Sequence, residues 1–221
     1  MKKIILSLVS GLFLISTASA DIGLNIGVTG TTALFVATGS ESQTDADGLE
    51  GTTIQDDTEM GAGGFASIFI EKEFGRFAIG YDHTPEVFST ETAETLKNDQ
   101  RTAASDAVTV STNKVQVDFD EMNQIYVKAM VTENMYVRAG AMSVDVKTNE
   151  TLETGSTYGD TSLDGTSIGI GYHKELDNTL FIRVEGQYMS FDGVTLSSND
   201  NTLKLKNLDG VTGSISVGKA F

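Results

Sequence analysis

Val211-Thr-Gly-Ser-Ile-Ser-Val-Gly-Lys-Ala-Phe221 alternates two kinds of side chain. Val211, Gly213, Ile215, Val217 and Phe221 share one face of an extended chain, and Thr212, Ser214, Ser216, Gly218 and Ala220 share the other. A period of two with one apolar face and one small, polar face describes a strand between two unlike media, and lipid is one candidate medium. In lipid an open strand edge is not tolerated, because no water is present to satisfy its N–H and C=O groups. The fold therefore turns on whether the rest of the chain closes a barrel around this strand.

Residues 1–20 read as an export signal: Lys2 and Lys3, an apolar run from Ile4 to Ile15, then Ala18-Ser19-Ala20 as a small-residue cleavage site. Cleavage after Ala20 leaves residues 21–221 as one domain. The formal net charge of −16 becomes −18 without Lys2 and Lys3, which disfavours nucleic acid and other polyanions as partners. Cysteine is absent, so a disulfide framework and a thiolate metal site are excluded. No second long apolar stretch follows the signal, and the mean hydropathy of −0.07 is what alternating lipid-facing and polar residues average to. If the mature chain enters a membrane, it does so as strands.

Alternation recurs along the chain. Ile22 to Gly39 opposes Leu24, Ile26, Val28, Leu34 and Val36 to small residues, with Phe35 the one large residue on the small face. Residues 62–71 and 76–84 form a hairpin about Lys72-Glu73-Phe74-Gly75, and Pro85 is expected to end its ladder. Val115 to Val131 is read with Val117, Phe119, Ile125 and Val127 on the lipid face, and residues 136–142 return after Thr132-Glu133-Asn134. Arg138 is placed inward, since a lipid-facing Arg costs about 2 to 4 kcal/mol at the bilayer midplane. Ile168, Ile170 and Tyr172 alternate with glycines. After the return at Glu175 to Asn178, Leu180 to Tyr188 puts Ile182 and Val184 outward and Arg183, Glu185, Gln187 and Met189 inward. Ser40 to Glu59, Glu86 to Asn113, Asn149 to Leu163 and Gly193 to Thr202 read as long loops.

The count is eight strands with short turns and long loops in strict alternation, which an up-and-down transmembrane barrel requires and a soluble sandwich does not. The expected fold is an all-β, eight-stranded antiparallel up-and-down transmembrane β-barrel over residues 21–221.

On Ala18-Ser19-Ala20, the segment from Ile168-Gly-Ile-Gly-Tyr172 to Tyr188 and the alternation closing on Phe221, the chain resembles the small outer-membrane β-barrel proteins of Gram-negative bacteria. That group contains the OmpA transmembrane barrel, OmpX and the opacity-like proteins. The resemblance implies bacterial outer-membrane localisation, contact with outer-membrane lipid and lipopolysaccharide, and Phe221 as the signal read by the barrel-assembly machinery. It also implies a monomer, and a peptidoglycan tether of the kind appended to the OmpA barrel is not expected. Lys219 departs from the family pattern, which more often has an apolar residue there, and is expected at the interface with its stem snorkelling to water.

By parity Glu71, Lys128, Arg138, Arg183, Glu185 and Gln187 face the barrel interior, where they are expected to form a paired polar network that fills it. Gly165-Thr-Ser167-Ile-Gly169 matches a hydrolase elbow, but no helix follows to form one. His83 and His173 fall at opposite ends, without a serine constellation. Asp45-Ala-Asp47-Gly48 lacks the remaining ligands of a calcium loop, which leaves loose divalent-cation bridging to lipopolysaccharide phosphates. The expected protein is not an enzyme, holds no cofactor, and has a structural or surface-interaction role through acidic extracellular loops. A small-solute porin-like channel and an outer-membrane lipid-modifying enzyme are the alternatives.

Overall fold

The computed structural model describes residues 22–43, 57–89, 93–99, 109–151, 158–176, 179–197 and 201–221. Ten strands form one sheet: β1 (Leu24–Gln43), β2 (Asp57–Phe74), β3 (Phe77–Ser89), β4 (Ala93–Asp99), β5 (Thr109–Met130), β6 (Met135–Thr151), β7 (Thr161–Glu175), β8 (Leu180–Phe191), β9 (Val194–Ser197) and β10 (Asn201–Ala220). Eight of them pair antiparallel in the closed circuit β1-β2-β3-β5-β6-β7-β8-β10, and β10 returns to β1. The short strands β4 and β9 pair with β5 and β10 outside this circuit.

Closure fixes the geometry of the wall. Following direct partners once around, Ala37 leads through Leu208, Phe191, Gly165, Met142, Gln124, Asp82 and Phe69 to Gly27, ten residues from the start. A ten-residue stagger over eight strands sets a steep tilt and an interior just wide enough for side chains to fill. The short turns at residues 75–76 and 131–134, the C-terminal end of β7 and the start of β8 share one end, here the turn end. There Ile22 N–H and Leu24 N–H donate to the Phe221 carbonyl at 2.9 and 3.2 Å, and Phe221 N–H donates to the Leu24 carbonyl at 2.8 Å. The other end is the loop end.

The barrel is inverted relative to a soluble domain. Leu34, Ile125, Ile168 and Ile215 are 61–65% exposed, whereas Glu71 and Lys128 are 1% and 2% exposed. Such a continuous apolar exterior marks a surface made for lipid. Charges bracket the belt: on β7 nine residues separate Asp164 from Lys174, and on β10 nine separate Asp209 from Lys219. That matches the 9 to 11 residues of a tilted strand that span hydrocarbon.

Toward the loop end the interior changes character. Phe35, Val87, Phe119, Met122, Met142, Val144, Leu163, Phe191 and Leu208 pack in one apolar cluster, with Val117 against it. Val117 and Phe119 therefore depart from the lipid-facing placement expected from phase. Glu121 takes φ +50° and the β5–β6 register shifts between Asp120 and Asn123, a bulge that turns the strand by one residue. The facing strand shifts between Glu86 and Phe88, beside Pro85. Pro85 does not end the ladder: it stands where the ladder is already irregular, so its missing N–H is tolerated. The expected loops are in good part strand: β1 runs to Gln43 and β2 starts at Asp57, β3 runs to Ser89 and β4 lies within 86–113, β6 runs to Thr151 and β7 starts at Thr161, and β9 lies within 193–202. The signal segment and Asp45 to Gly48 lie outside the described residues, as does part of the Glu175 to Asn178 return.

Six inward glycines face six aromatic rings as direct register partners: Gly27 and Phe69, Gly80 and Tyr126, Gly171 and Tyr136, Gly218 and Phe181, Gly210 and Phe35, and Gly165 and Phe191. Each ring leans over its glycine, so that a Cβ built at Gly210 would meet Phe35 Cε1 at 2.6 Å. Gly210→Val is expected to destabilise the barrel by about 1 to 3 kcal/mol through overpacking. The cost should shrink in a Phe35→Ala background, as measured by urea unfolding of the lipid-inserted protein.

Candidate functional site

The polar half of the lumen is built on Glu71 of β2. Lys128 Nζ of β5 donates to Glu71 Oε1 at 2.5 Å, and Arg183 of β8 donates through Nη2 to Oε1 at 2.8 Å and through Nη1 to Oε2 at 3.1 Å. Tyr126 Oη donates to Oε2 at 3.0 Å and Asn25 Nδ2 to Oε1 at 3.2 Å. The circuit places β2, β5 and β8 two, three and three strands apart, so these contacts cross the lumen and do not run along the wall.

A two-cation, one-carboxylate centre needs further support, because a buried charge without a partner costs several kcal/mol. Glu73 Oε1 supplies part of it, 3.7 Å from Lys128 Nζ and accepting from Asn25 Nδ2 at 2.7 Å. Aromatic faces supply more: the Arg183 guanidinium lies 4.4 Å from the Phe181 ring centroid and 5.3 Å from that of Phe69, and Lys128 Nζ is 5.5 Å from Tyr136. Arg183 Nε donates to His173 Nδ1 at 3.0 Å, which assigns that nitrogen as acceptor in a neutral imidazole.

Arg138 and Glu185 form a second pair one level nearer the loop end. Arg138 Nη1 donates to Glu185 Oε1 at 3.2 Å, Nη2 donates to Gln124 Oε1 and lies 3.5 Å from Asp82 Oδ2, and the guanidinium stacks 3.6 Å from the Tyr126 ring centroid. Gln187 is inward and buried but stands apart: its Nε2 and Arg138 Nε are buried donors without a hydrogen-bond partner. Both residues border a cavity of about 20 Å³, shared with Asp82, Gln124 and Glu185, and a second of about 10 Å³ lies among Glu71, Lys128 and Arg183. Such volumes hold a water molecule and no solute.

The structure thus brings Glu71, Lys128 and Arg183 into one cluster and Arg138 and Glu185 into another, and leaves Gln187 beside them. Parity alone did not single out Asn25, Tyr126, Asp82, Gln124 and His173, although each has inward phase. Ser167 also points inward, where Gln124 Nε2 donates to its hydroxyl, and its strand continues straight through. His83 faces outward near the β5 bulge, with Nδ1 2.9 Å from Asn123 Oδ1 and Nε2 3.8 Å from Glu121 Oε2. The two histidines share no site. Among the described residues no three His, Cys, Asp or Glu side chains are grouped to hold a metal ion.

Glu71→Leu should cost about 3 to 5 kcal/mol, because it leaves two buried cations facing each other. Adding Arg183→Met should recover part of that loss. A double-mutant cycle by urea unfolding in lipid vesicles measures the coupling, and additive losses would contradict the geometry.

No protein-family model matches the sequence, and no curated protein does. In structure the chain is similar to the outer membrane protein OprG from Pseudomonas aeruginosa, with TM-score 0.52 and 11% identity over 91% of this chain and 97% of OprG. It is also similar to the outer membrane protease OmpT from Escherichia coli, with TM-score 0.47 and 8% identity over 94% of this chain and 99% of OmpT. At such identities the likeness speaks to the fold alone. With its circuit closed at eight antiparallel strands, its apolar belt outside and its ion pairs inside, the chain has the fold of the small outer-membrane β-barrels.

Proposed function

We propose that the protein is a bacterial outer-membrane barrel with a sealed interior, acting as a structural or surface-interaction protein through the acidic segments at its loop end. The observation that carries this reading is the filled lumen. The Glu71 cluster crosses the turn half, and the apolar cluster around Phe35, Phe119 and Phe191 closes the loop half. A conducting pathway would need to wet that apolar half, and narrow apolar constrictions exclude water and ions. Catalysis is not supported, since the inward histidine is tied to Arg183 and the outward one faces the lipid side of the wall.

With the lumen closed, interaction is left to the segments beyond the belt. Residues 41–59 carry seven carboxylates and no Lys or Arg, so their partners would be cationic or bridged by divalent ions. Polar strands extend from the belt toward this end, tied by Lys147 Nζ to Asp120 Oδ2 at 3.1 Å and by Asn149 Nδ2 to Asp118 Oδ2 at 2.6 Å.

In planar bilayers the purified protein should give no reproducible ion-selective steps, and Arg183→Ala alone should not create them, because the apolar half still closes the path. Steps in the wild type that Arg183→Ala abolishes would favour the channel alternative. Protease added to intact cells should cut within residues 44–56 and spare the turns at 75–76 and 131–134; the reverse pattern would refute the orientation.

A further inference from the structure

Hydrocarbon meets two features of the outer wall that it cannot satisfy, and both lie on β2, β3 and β5. The first is a polar cluster. Asp164 stands at the loop-side edge of the belt, and its direct partners in the ladders run Ser143 on β6, Asn123 on β5 and His83 on β3. Each step of that path descends toward the turn end by the barrel's stagger of ten residues over eight strands. Asn123 and His83 therefore lie roughly 6 and 9 Å inside the belt at the usual strand rise and tilt. Among the described residues no other amide or imidazole side chain faces outward between the charges that bracket the belt. The cluster is bonded within itself: Tyr81 Oη donates to Asn123 Oδ1 at 2.6 Å, His83 Nδ1 lies 2.9 Å from the same oxygen, and Asn123 Nδ2 donates to the Glu121 carbonyl at 2.7 Å. Capacity is left over. The Asn123 amide has a second N–H, and His83 Nε2 lies 3.8 Å from Glu121 Oε2, beyond hydrogen-bond reach. Polar and ionisable groups at such depth are costly against lipid and mark a contact.

The second feature is an open strand edge. The ladder between β2 and β3 holds seven pairs, from Phe74 and Phe77 up to Ile68 and His83, against eleven or more in every other ladder of the closed circuit. Above Ile68, β2 is paired with β1 alone, and above His83, β3 is paired with β5 alone. Continued in register, the ladder would set Pro85 against Ala66, and proline has no N–H to give it. The direct partners of Asp209, Val36 and then Met60, climb by the same stagger, so the belt edge crosses β2 near Ala62. Residues 63–67 of β2 thus form an edge without ladder partners inside the belt, where open edges are not tolerated. The outward side chains along it are Ala62, Gly64 and Ala66, small enough for a neighbouring wall to approach closely.

We propose that this patch of β2, β3 and β5 is the contact surface for a second copy of the chain, packed against it about a two-fold axis along the membrane normal. Acyl chains offer neither donors nor acceptors, so the cover has to be another wall that carries both. The patch complements itself. The second amide hydrogen of Asn123 is a donor, the Glu121 carboxylate is an acceptor, and a neutral imidazole that donates through Nδ1 presents Nε2 as a further acceptor. A two-fold axis sets the donors of each copy against the acceptors of the other, with the same surface used on both sides. The inference departs from the monomer that the family resemblance implies. It rests on the membrane reading of the barrel, so insertion is scored separately in the test.

The chain has no cysteine, so Glu133→Cys in the turn between β5 and β6 carries a single dye. Donor- and acceptor-labelled copies are mixed in phosphatidylcholine vesicles and diluted with lipid while energy transfer is read. Insertion is checked by heat-modifiable migration on gels. Loss of that signature in the otherwise unaltered chain overturns the membrane reading and the inference with it, whereas an inserted monomer overturns the interface alone. Transfer should exceed that of randomly placed barrels. His83→Leu and Asn123→Leu should each weaken self-association roughly three- to tenfold, the range for hydrogen bonds between membrane-embedded segments. Ala66→Phe, which adds bulk on the lipid face of β2, should also weaken it. Gly186→Phe makes a like addition on β8, four strands from β3 in the circuit, where a Cβ meets only the Thr212 carbonyl at 3.9 Å, and should leave it unchanged. All four replacements are apolar and lipid-facing, which insertion tolerates, and should one patch variant not insert, the other two carry the same expectation. Transfer no greater than random, transfer insensitive to the three patch variants or equally sensitive to Gly186→Phe, or a native-membrane complex that holds a different protein at this patch overturns the proposal.

Discussion

Between Lys128 and Arg183, which approach from opposite walls of the lumen, the Glu71 carboxylate accepts five hydrogen bonds in a space with no room for bulk water. Those contacts tie β1, β2, β5 and β8 together across the barrel, and they specify register as well as stability. A one-residue slip of β2 would move Glu71 onto the lipid face and carry Ile68 and Ile70 inside. Both changes are unfavourable, because hydrocarbon cannot solvate the carboxylate and the two cations left behind would repel. Buried ion pairs are weak evidence for stability in themselves. Their effect here is to leave the wall few alternative registers to adopt.

The same parity made much of this interior legible. In a strand that faces lipid, an inward charge is the only affordable charge, so Glu71, Lys128, Arg138, Arg183 and Glu185 announce their side by type and phase alone. Which of them meet was not legible. Glu71 and Arg183 are 112 residues apart, and their contact depends on the ten-residue stagger of the closed sheet, a property no single strand encodes. Asn25 and Tyr126 had the right phase, but an inward Asn or Tyr has no sequence mark that separates a network member from a lumen filler. The glycine and aromatic partners show the same limit: each residue is visible, whereas the pairing of Gly80 with Tyr126 exists only once the register is known.

Strand ends beyond the belt were the least legible part. Outside hydrocarbon the outward face meets water, so acidic and hydroxyl residues no longer argue against a strand, and composition that reads as loop is compatible with a paired ladder. Residues 86–89 and 109–114 are of this kind, and so is β9 between Gly193 and Thr202.

What changes at the loop-side edge is the sign of the alternation. Within the belt the strands are apolar outside and polar inside; beyond it they become acidic outside and apolar inside, as in a soluble barrel. On β7 and β10 the change is made by residue type at fixed phase, with Leu163 and Leu208 inward beside the outward Asp164 and Asp209. On β3 and β5 the apolar residues keep the phase they had in lipid, and the backbone turns instead. The bulge at Glu121 carries Phe119 inward although it alternates in step with the lipid-facing Ile125, and the irregularity between Glu86 and Phe88 accompanies the inward turn of Val87. A period-of-two reading passes through such a bulge unaware, which is why Val117 and Phe119 were assigned to lipid. The inversion also explains the apolar character of the upper lumen: strands that extend beyond the belt need a core of their own, and the apolar cluster drawn from β1, β3, β5, β6, β7, β8 and β10 supplies it.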